Sequence, residues 1–338
     1  MNALKVISEC IHHKHTSLEL RKCNLRNSDL AWALLAACPQ LTQLRLWEMP
    51  NITSLKILEQ LPNLEILDLH LLKVVDLSIL QKLPKLKNLH LSRFNSNILA
   101  QLRALPQLES LHLSQTYDED VPYDFSFMAS LVNLKELRLG FCSLKDIDFL
   151  PPLKKLEKLI LNCNMVEDIS PISQFENLSY LDISHNYIRD FSPLQACRKL
   201  AFISAFDNKF TSLPDMSVFE ELHFLDVSES RISDISPLMA LPLLDCLYID
   251  ENAITVRPPA PIVHFAYQSR YEKTKNKPTL QDFFGLREPP QIELIWQFFA
   301  TGQSENIFLA EQLAIAANWT EEEIRVYTKF ADRHLREG

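Results

Sequence analysis

The chain has 338 residues, is 47% hydrophobic and carries a formal charge of -9, with a mean hydropathy of -0.06; it can form a core, and it repels rather than attracts the phosphates of a nucleic acid. Seven cysteines without a C-x-x-C make neither a disulfide framework nor a zinc motif. There is no apolar run of about 18 residues to span a membrane, and the start MNALKVISECIHHKH lacks the apolar core of a secretory signal, so the expected compartment is the cytosol.

Residues 1–14 predict a short amphipathic helix, with Leu4, Ile7 and Ile11 at helical spacing, that caps the apolar end of the rest of the chain. His12, His13 and His15 lie on it too close in sequence to hold a metal in a defined geometry, and read as a solvated run. A degenerate unit at Leu18, Leu20, Cys23 and Leu25 leads into an Ala- and Leu-rich return, Ser28 to Cys38, long enough for a helix. From Leu41 a leucine then recurs at one phase, at Leu64, Leu86, Leu108, Leu134, Leu156, Leu178, Leu200, Leu222 and Leu244. The steps are 23, 22, 22, 26 and then five of 22 residues.

The unit at Leu178 continues through Leu181, Ile183, Asn186 and Ile188. A period of about 20 to 29 residues with the pattern L-x-x-L-x-L-x-x-N/C-x-L marks a leucine-rich repeat, one strand and one returning segment per unit. Cys23 and Cys142 fall on the Asn/Cys position, which faces the inside of the turn. Several returns carry a motif such as Asp190-Phe191-Ser192-Pro193-Leu194 or Asp234-Ile235-Ser236-Pro237-Leu238. Asp or Ser there caps a short helical turn, and Pro is tolerated in its first positions.

Over residues 41–254 these repeats resemble the 22-residue leucine-rich repeats of bacterial internalins and of the regulatory subunit of protein phosphatase 1. The expected fold is an α/β solenoid, a leucine-rich-repeat horseshoe with a parallel concave sheet. About eleven repeats span 15–257, after the cap at 1–14. Pro258-Pro259-Ala260-Pro261 opens a linker over 258–278, and helical spacing at Ile292, Ile295, Trp296 and Phe299, then at Ile324, Tyr327 and Phe330, predicts a helical C-terminal segment over 279–338.

Strand alternation turns the residues between the structural leucines outward. In the second half of the array these include Tyr180, Phe202, Phe206, Phe224 and Tyr248, flanked by Asp182, Asp226, Glu229 and Asp250. Exposed aromatics anchor interfaces, and an acidic ring favours a protein partner with a basic surface. The other reading of these rings is that the C-terminal helices cover them. As an isolated surface charge, Asp226 is expected to contribute only about a few tenths of a kcal/mol to stability.

The first half presents Arg45, Trp47, His90, Arg93, His112 and Arg138, a mildly basic and pH-sensitive second surface. The 26-residue unit places its insertion, with Tyr117 and Tyr123, beside the same face.

Four scattered glycines, no G-x-S-x-G and no H-E-x-x-H leave no catalytic, cofactor-binding or metal-binding residue to nominate. The sequence therefore predicts a bacterial, non-enzymatic interaction module, monomeric when free, acting as adaptor, inhibitor, immunity protein or effector. The alternative is the regulatory subunit of an enzyme such as a phosphatase.

Overall fold

Each repeat contributes one short strand, and in the computed structural model the strands stack in chain order. The structure describes residues 3–70, 74, 76–92, 96–114, 124–244, 246–249 and 251–255, with the backbone of 266–267. Arg93, Tyr117, Tyr123, Asp250 and the expected helical segment 279–338 lie outside the described residues. The chain divides into two compact units, residues 1–244 with 248–259, and residues 245–247 with 260–338.

In the first unit the cap helix α1 (Ala3–His13) buries Ala3, Ile7 and Cys10. Five five-residue strands follow: β1 (Ser17–Arg21), β2 (Gln43–Trp47), β3 (Ile66–His70), β4 (Asn88–Ser92) and β5 (Ser110–Ser114). Then come β6 (Glu136–Arg138), β7 (Lys158–Ile160), β8 (Tyr180–Asp182), β9 (Phe202–Ser204) and β10 (Phe224–Asp226), of three residues each, and β11 (Cys246–Tyr248), whose Cys246 and Leu247 fall in the second unit. The Ala- and Leu-rich return after β1 forms only one α turn, α2 (Leu30–Ala33), and tightens into a 3-10 turn over Leu34–Ala37. Of the second unit the structure describes a parallel pair, Cys246 and Leu247 beside β12 (Ala266–Tyr267).

Pairing is parallel and in register from repeat to repeat. Leu18 lies beside Leu44, then Leu67, Leu89, Leu111, Leu137, Leu159, Leu181, Ile203 and Leu225 follow. These inward side chains, with the second leucine of each pair and return-segment rings such as Phe175, Phe191, Phe210 and Phe219, are almost wholly buried. The expected Asp-x-Ser-Pro turns are present: Asp168, Asp190 and Asp234 accept the amides of Ser170, Ser192 and Ser236 at 2.7 to 2.8 Å as 3-10 turns begin.

Leaving the strand requires a sharp reversal, and the chain makes it with residues of positive φ: Cys163 (56°), His185 (53°), Asp207 (49°), Glu229 (52°) and Glu251 (53°). None is glycine, although this region strains any residue with a Cβ. The next residue offsets that strain in four of these turns. Asn164, Asn186, Asn208 and Asn252 each donate to carbonyls 3 and 25 residues earlier and accept an amide 20 residues earlier.

In the remaining turn, at Glu229, the position is Ser230, whose buried Oγ finds no partner. The Phe210 amide, 20 residues before it, makes no hydrogen bond among the described residues.

Asn186→Ala orphans several buried backbone groups at once and should lower stability by at least about 2 kcal/mol, whereas Ser230→Asn, completing the ladder, should raise it by about 1 kcal/mol. Urea unfolding followed by circular dichroism measures both. Hydrogen bonds from Ser217 (amide, then hydroxyl) and from Ser236 (hydroxyl, then amide) hold Asp215 and Asp234 below the usual carboxylate value of 3.8. Their contribution to stability is therefore complete above that value and is lost as pH falls through the lower folded value. A double Asp→Asn variant at these positions should lose less stability than the parent on acidification below about pH 4, read from thermal midpoints.

Candidate functional site

On the outer face of the sheet the register converts sequence spacing into columns of side chains about 4.8 Å apart. The column one residue before each first leucine runs Ser110, Glu136, Lys158, Tyr180, Phe202 and Phe224 across β5 to β10. Tyr180 and Phe202 stack with ring centroids 4.2 Å apart and planes within 3°, and Phe202 and Phe224 do so at 4.1 Å and 7°. Lys158 closes the near end of the stack with Nζ 4.1 Å from the Tyr180 ring centre. Tyr248, from the adjacent column, meets Phe224 at 5.7 Å and a 50° tilt. All three stacked rings are part-exposed.

The flanking residues depart from expectation. Asp182 is 6% exposed and Asp226 0%, and Phe206 (8%) and Tyr248 (3%) are buried as well. Alternation places them on the outer face, as expected, but does not by itself leave them open to solvent. Each aspartate has local work within its own turn: Asp182 accepts the amide of Ser184 at 3.0 Å and its hydroxyl at 2.6 Å, and Asp226 accepts the same groups of Ser228 at 3.1 and 2.6 Å. Asp226 is therefore not the isolated surface charge its sequence position suggests. The acids left part-exposed are Asp207 and Glu229, at the turn that ends the strand.

The first half carries a second stack. The Arg21 guanidinium carbon lies 4.7 Å from the Trp47 ring centre, and Trp47 stacks on His70 at 5.1 Å. In the neighbouring column Arg45, Asp68, His90, His112 and Arg138 follow one another across β2 to β6. His90 and His112 stack at 3.8 Å and 3°, and His90 Nδ1 sits 3.1 Å from Asp68 Oδ1. With its amide oxygen turned toward Arg45, Gln43 accepts from Nη2 at 2.9 Å and Nε at 3.2 Å.

Arg138 is not an exposed cation. It is 6% exposed, donates from Nε to Glu136 Oε1 at 3.0 Å, and burial lowers its pKa while Glu136 pulls the other way. Beside it, Gly140 lets the Asn162 side chain lie close to the backbone, since a Cβ there would stand 2.3 Å from Asn162 Oδ1 and turn that side chain aside. The basic half is thus a set of stacked and paired groups rather than a row of open charges. Among the described residues no group of three or more His, Cys, Asp or Glu is placed to hold a metal ion, and no helix is long and apolar enough to cross a membrane.

The stacking could be read from the aromatic residues at Tyr180, Phe202 and Phe224, spaced by one repeat. The burial of the aspartates could not, although a signal exists in Asp-x-Ser at both Asp182 and Asp226. The αL turn column is likewise invisible without glycine to mark it.

Comparison with known proteins agrees with the repeat reading. A family described as Leucine Rich repeats (2 copies) matches residues 132–174. A search of curated proteins finds no match. Among solved structures, the chain is similar to the internalin InlF of Listeria monocytogenes, with 23% identity, a TM-score of 0.57 and coverage of 74% of this chain and 81% of that one. It is similar to a leucine-rich-repeat protein of Leptospira interrogans, with 18% identity, a TM-score of 0.54 and coverage of 77% and 79%. It is also similar to TLR13, solved with ssRNA13, at 25% identity and a TM-score of 0.54, over 72% of this chain and 37% of that one.

With Asp226 fully buried and accepting two hydrogen bonds, Asp226→Ala should lower stability by about 1 to 3 kcal/mol, well beyond the effect of a surface charge. Exposed Asp190→Ala, measured in the same urea titration, should change it by less than about 1 kcal/mol.

Proposed function

We propose that this leucine-rich-repeat protein is a non-catalytic module that captures a protein partner on the outer face of its sheet, anchored on the Tyr180, Phe202 and Phe224 stack. The observation that carries the reading is the stack itself, three part-exposed rings held parallel at 4.1 to 4.2 Å. Its geometry supports one class of anchor over another. Each shared ring face is filled by the neighbouring ring, and the near face of Tyr180 is filled by Lys158. With Tyr248 tilted against the far side of Phe224, the stack presents chiefly ring edge to a partner, the positive rim of the aromatic quadrupole.

Edges pack against aliphatic side chains, the faces of aromatic rings and carbonyl oxygens; they offer nothing to a cation, which needs an open face. The anchor we propose is accordingly an apolar segment of the partner. Basic residues bordering that segment would meet Asp207 and Glu229 at the turn edge, and the net charge of -9 would speed their approach. In this reading the protein works in the cytosol as a monomer until its partner binds, as an adaptor or inhibitor. The regulatory-subunit reading differs only in making that partner an enzyme.

A photo-crosslinking residue at position 202 tests it, with the exposed position Glu176 as control. One protein should be trapped from position 202 and not from 176. Calorimetry with that protein should then show Phe202→Ala and Phe224→Ala each weakening binding by at least about 2 kcal/mol. Unchanged affinity in the double variant, with unchanged stability, would remove the stack from the interface.

A further inference from the structure

Among the buried thiols, Cys10 and Cys38 meet across the joint between the cap and the first repeat. Cys10 lies on the buried face of α1 with Ala3 and Ile7, at helical spacing. Cys38 ends the 3-10 turn over Leu34–Ala37, against which that helix packs. Both residues are 0% exposed, and their side chains hydrogen-bond each other. Further bonds fix the approach from both sides. Gln40, just beyond Cys38, donates from Nε2 to the Cys10 carbonyl at 3.4 Å and to that of His15 at 3.2 Å. The Leu41 amide donates to the Cys38 carbonyl at 3.1 Å, and Cys10 Sγ donates to the His15 carbonyl at 3.6 Å.

The two sulfurs are not equivalent. Burial pushes the Cys197 thiol, elsewhere in the core, up to about 11. At the joint burial is again the first cause, and the hydrogen bond and charge of Cys38 add to it and push Cys10 up to about 12. Cys38 is raised by burial and pulled back by its hydrogen bond with Cys10. The shared hydrogen bond therefore favours the thiolate on Cys38, which makes that sulfur the nucleophile and Cys10 its resolving partner.

The place of the pair gives such a bond a consequence. α1 closes the apolar end of the array, where Ile7, Leu20 and Leu35 are 0% exposed. With both thiols free, noncovalent contacts alone hold it there. A terminal helix opens more readily than the array as a whole, and its opening bares both thiols to a reagent in solution.

We propose that Cys10 and Cys38 form a redox latch, a modification site at which a small disulfide oxidises the pair and ties the cap to the first repeat. The Cys38 thiolate attacks one sulfur of the oxidant, and the other sulfur leaves as a thiolate that takes up the Cys38 proton. The mixed disulfide on Cys38 carries no charge, so Cys10 ionises beside it more readily than beside a thiolate. Cys10 then attacks the Cys38 sulfur and expels the second thiolate, which takes up the Cys10 proton. Two protein thiols become one disulfide, and the oxidant becomes two thiols. The bond closes a loop over residues 11–37 and so constrains the cap and the first repeat together. The inference is independent of which partner occupies the ring stack.

The test incubates the full chain with oxidised glutathione at about pH 8 and maps the products by peptide mass spectrometry without reduction. Cys10 and Cys38 should be joined within one chain, dithiothreitol should separate them, and Cys197 should remain a thiol. Amide exchange in α1 should slow by at least about tenfold in the oxidised chain. Cys10→Ser and Cys38→Ser should each abolish both effects. Ile7→Ala, which loosens the cap and leaves both thiols in place, should speed the linkage by about tenfold, and it keeps the test decisive if a serine variant does not fold. A chain left without the link between Cys10 and Cys38, or a linked chain whose α1 amides exchange as fast as before, would overturn the proposal.

Discussion

Every turn that leaves a strand must deliver the chain to the next repeat without breaking register, and it must do so with buried backbone groups satisfied. In the central repeats an asparagine side chain meets this demand. It sits behind a residue of positive φ and joins backbone groups of its own turn to those of the repeat before. Amides and carbonyls that water cannot reach are paired by it, and an unpaired one costs as much as a lost hydrogen bond. Because each repeat shares these bonds with its neighbour, local geometry is copied down the array, as expected for a nearest-neighbour solenoid.

Copying is what gives the outer face its chemistry. Rings on successive strands can stack at 4.1 to 4.2 Å only if their strands hold one register. The same holds for the His90 and His112 pair at 3.8 Å, and for His185 and Asp207, 2.7 Å apart at the turn edge. None of these groupings uses residues close in sequence. Each places side chains 22 residues apart at neighbouring positions, so a drift of one residue would separate all of them together. The face and the core are then not independent, since disturbing the turn also disperses the site.

The period made the architecture legible, because a leucine at one phase across ten positions leaves little else for the chain to be. Alternation correctly placed Tyr180, Phe202 and Phe224 on one face. It failed on exposure. Asp182, Asp226 and Arg138 face the same way as their neighbours yet are buried, because short-range partners, Ser184, Ser228 and Glu136, draw them down onto the sheet. The positive-φ turn was illegible for a different reason: glycine usually marks such a position, and Cys163, His185, Asp207 and Glu229 occupy it with side chains intact. The Asn pattern was visible at Asn164, Asn186 and Asn208, but its meaning as a cross-repeat connector required the structure. The comparisons agree with the repeat and leave the partner open, since residues 132–174 match a two-repeat family and the solved relatives are similar in fold.

Whether the asparagine connector holds the register can be measured by native-state hydrogen exchange. The amides of Val166, Ile188 and Ile232 are held by Asn186, Asn208 and Asn252, while that of Phe210 stands opposite Ser230. The first three should exchange slowly, with the stability of the whole array, and Phe210 should exchange faster by at least about tenfold. Equal protection at all four positions would contradict this role for asparagine, because register would then be kept without the connector.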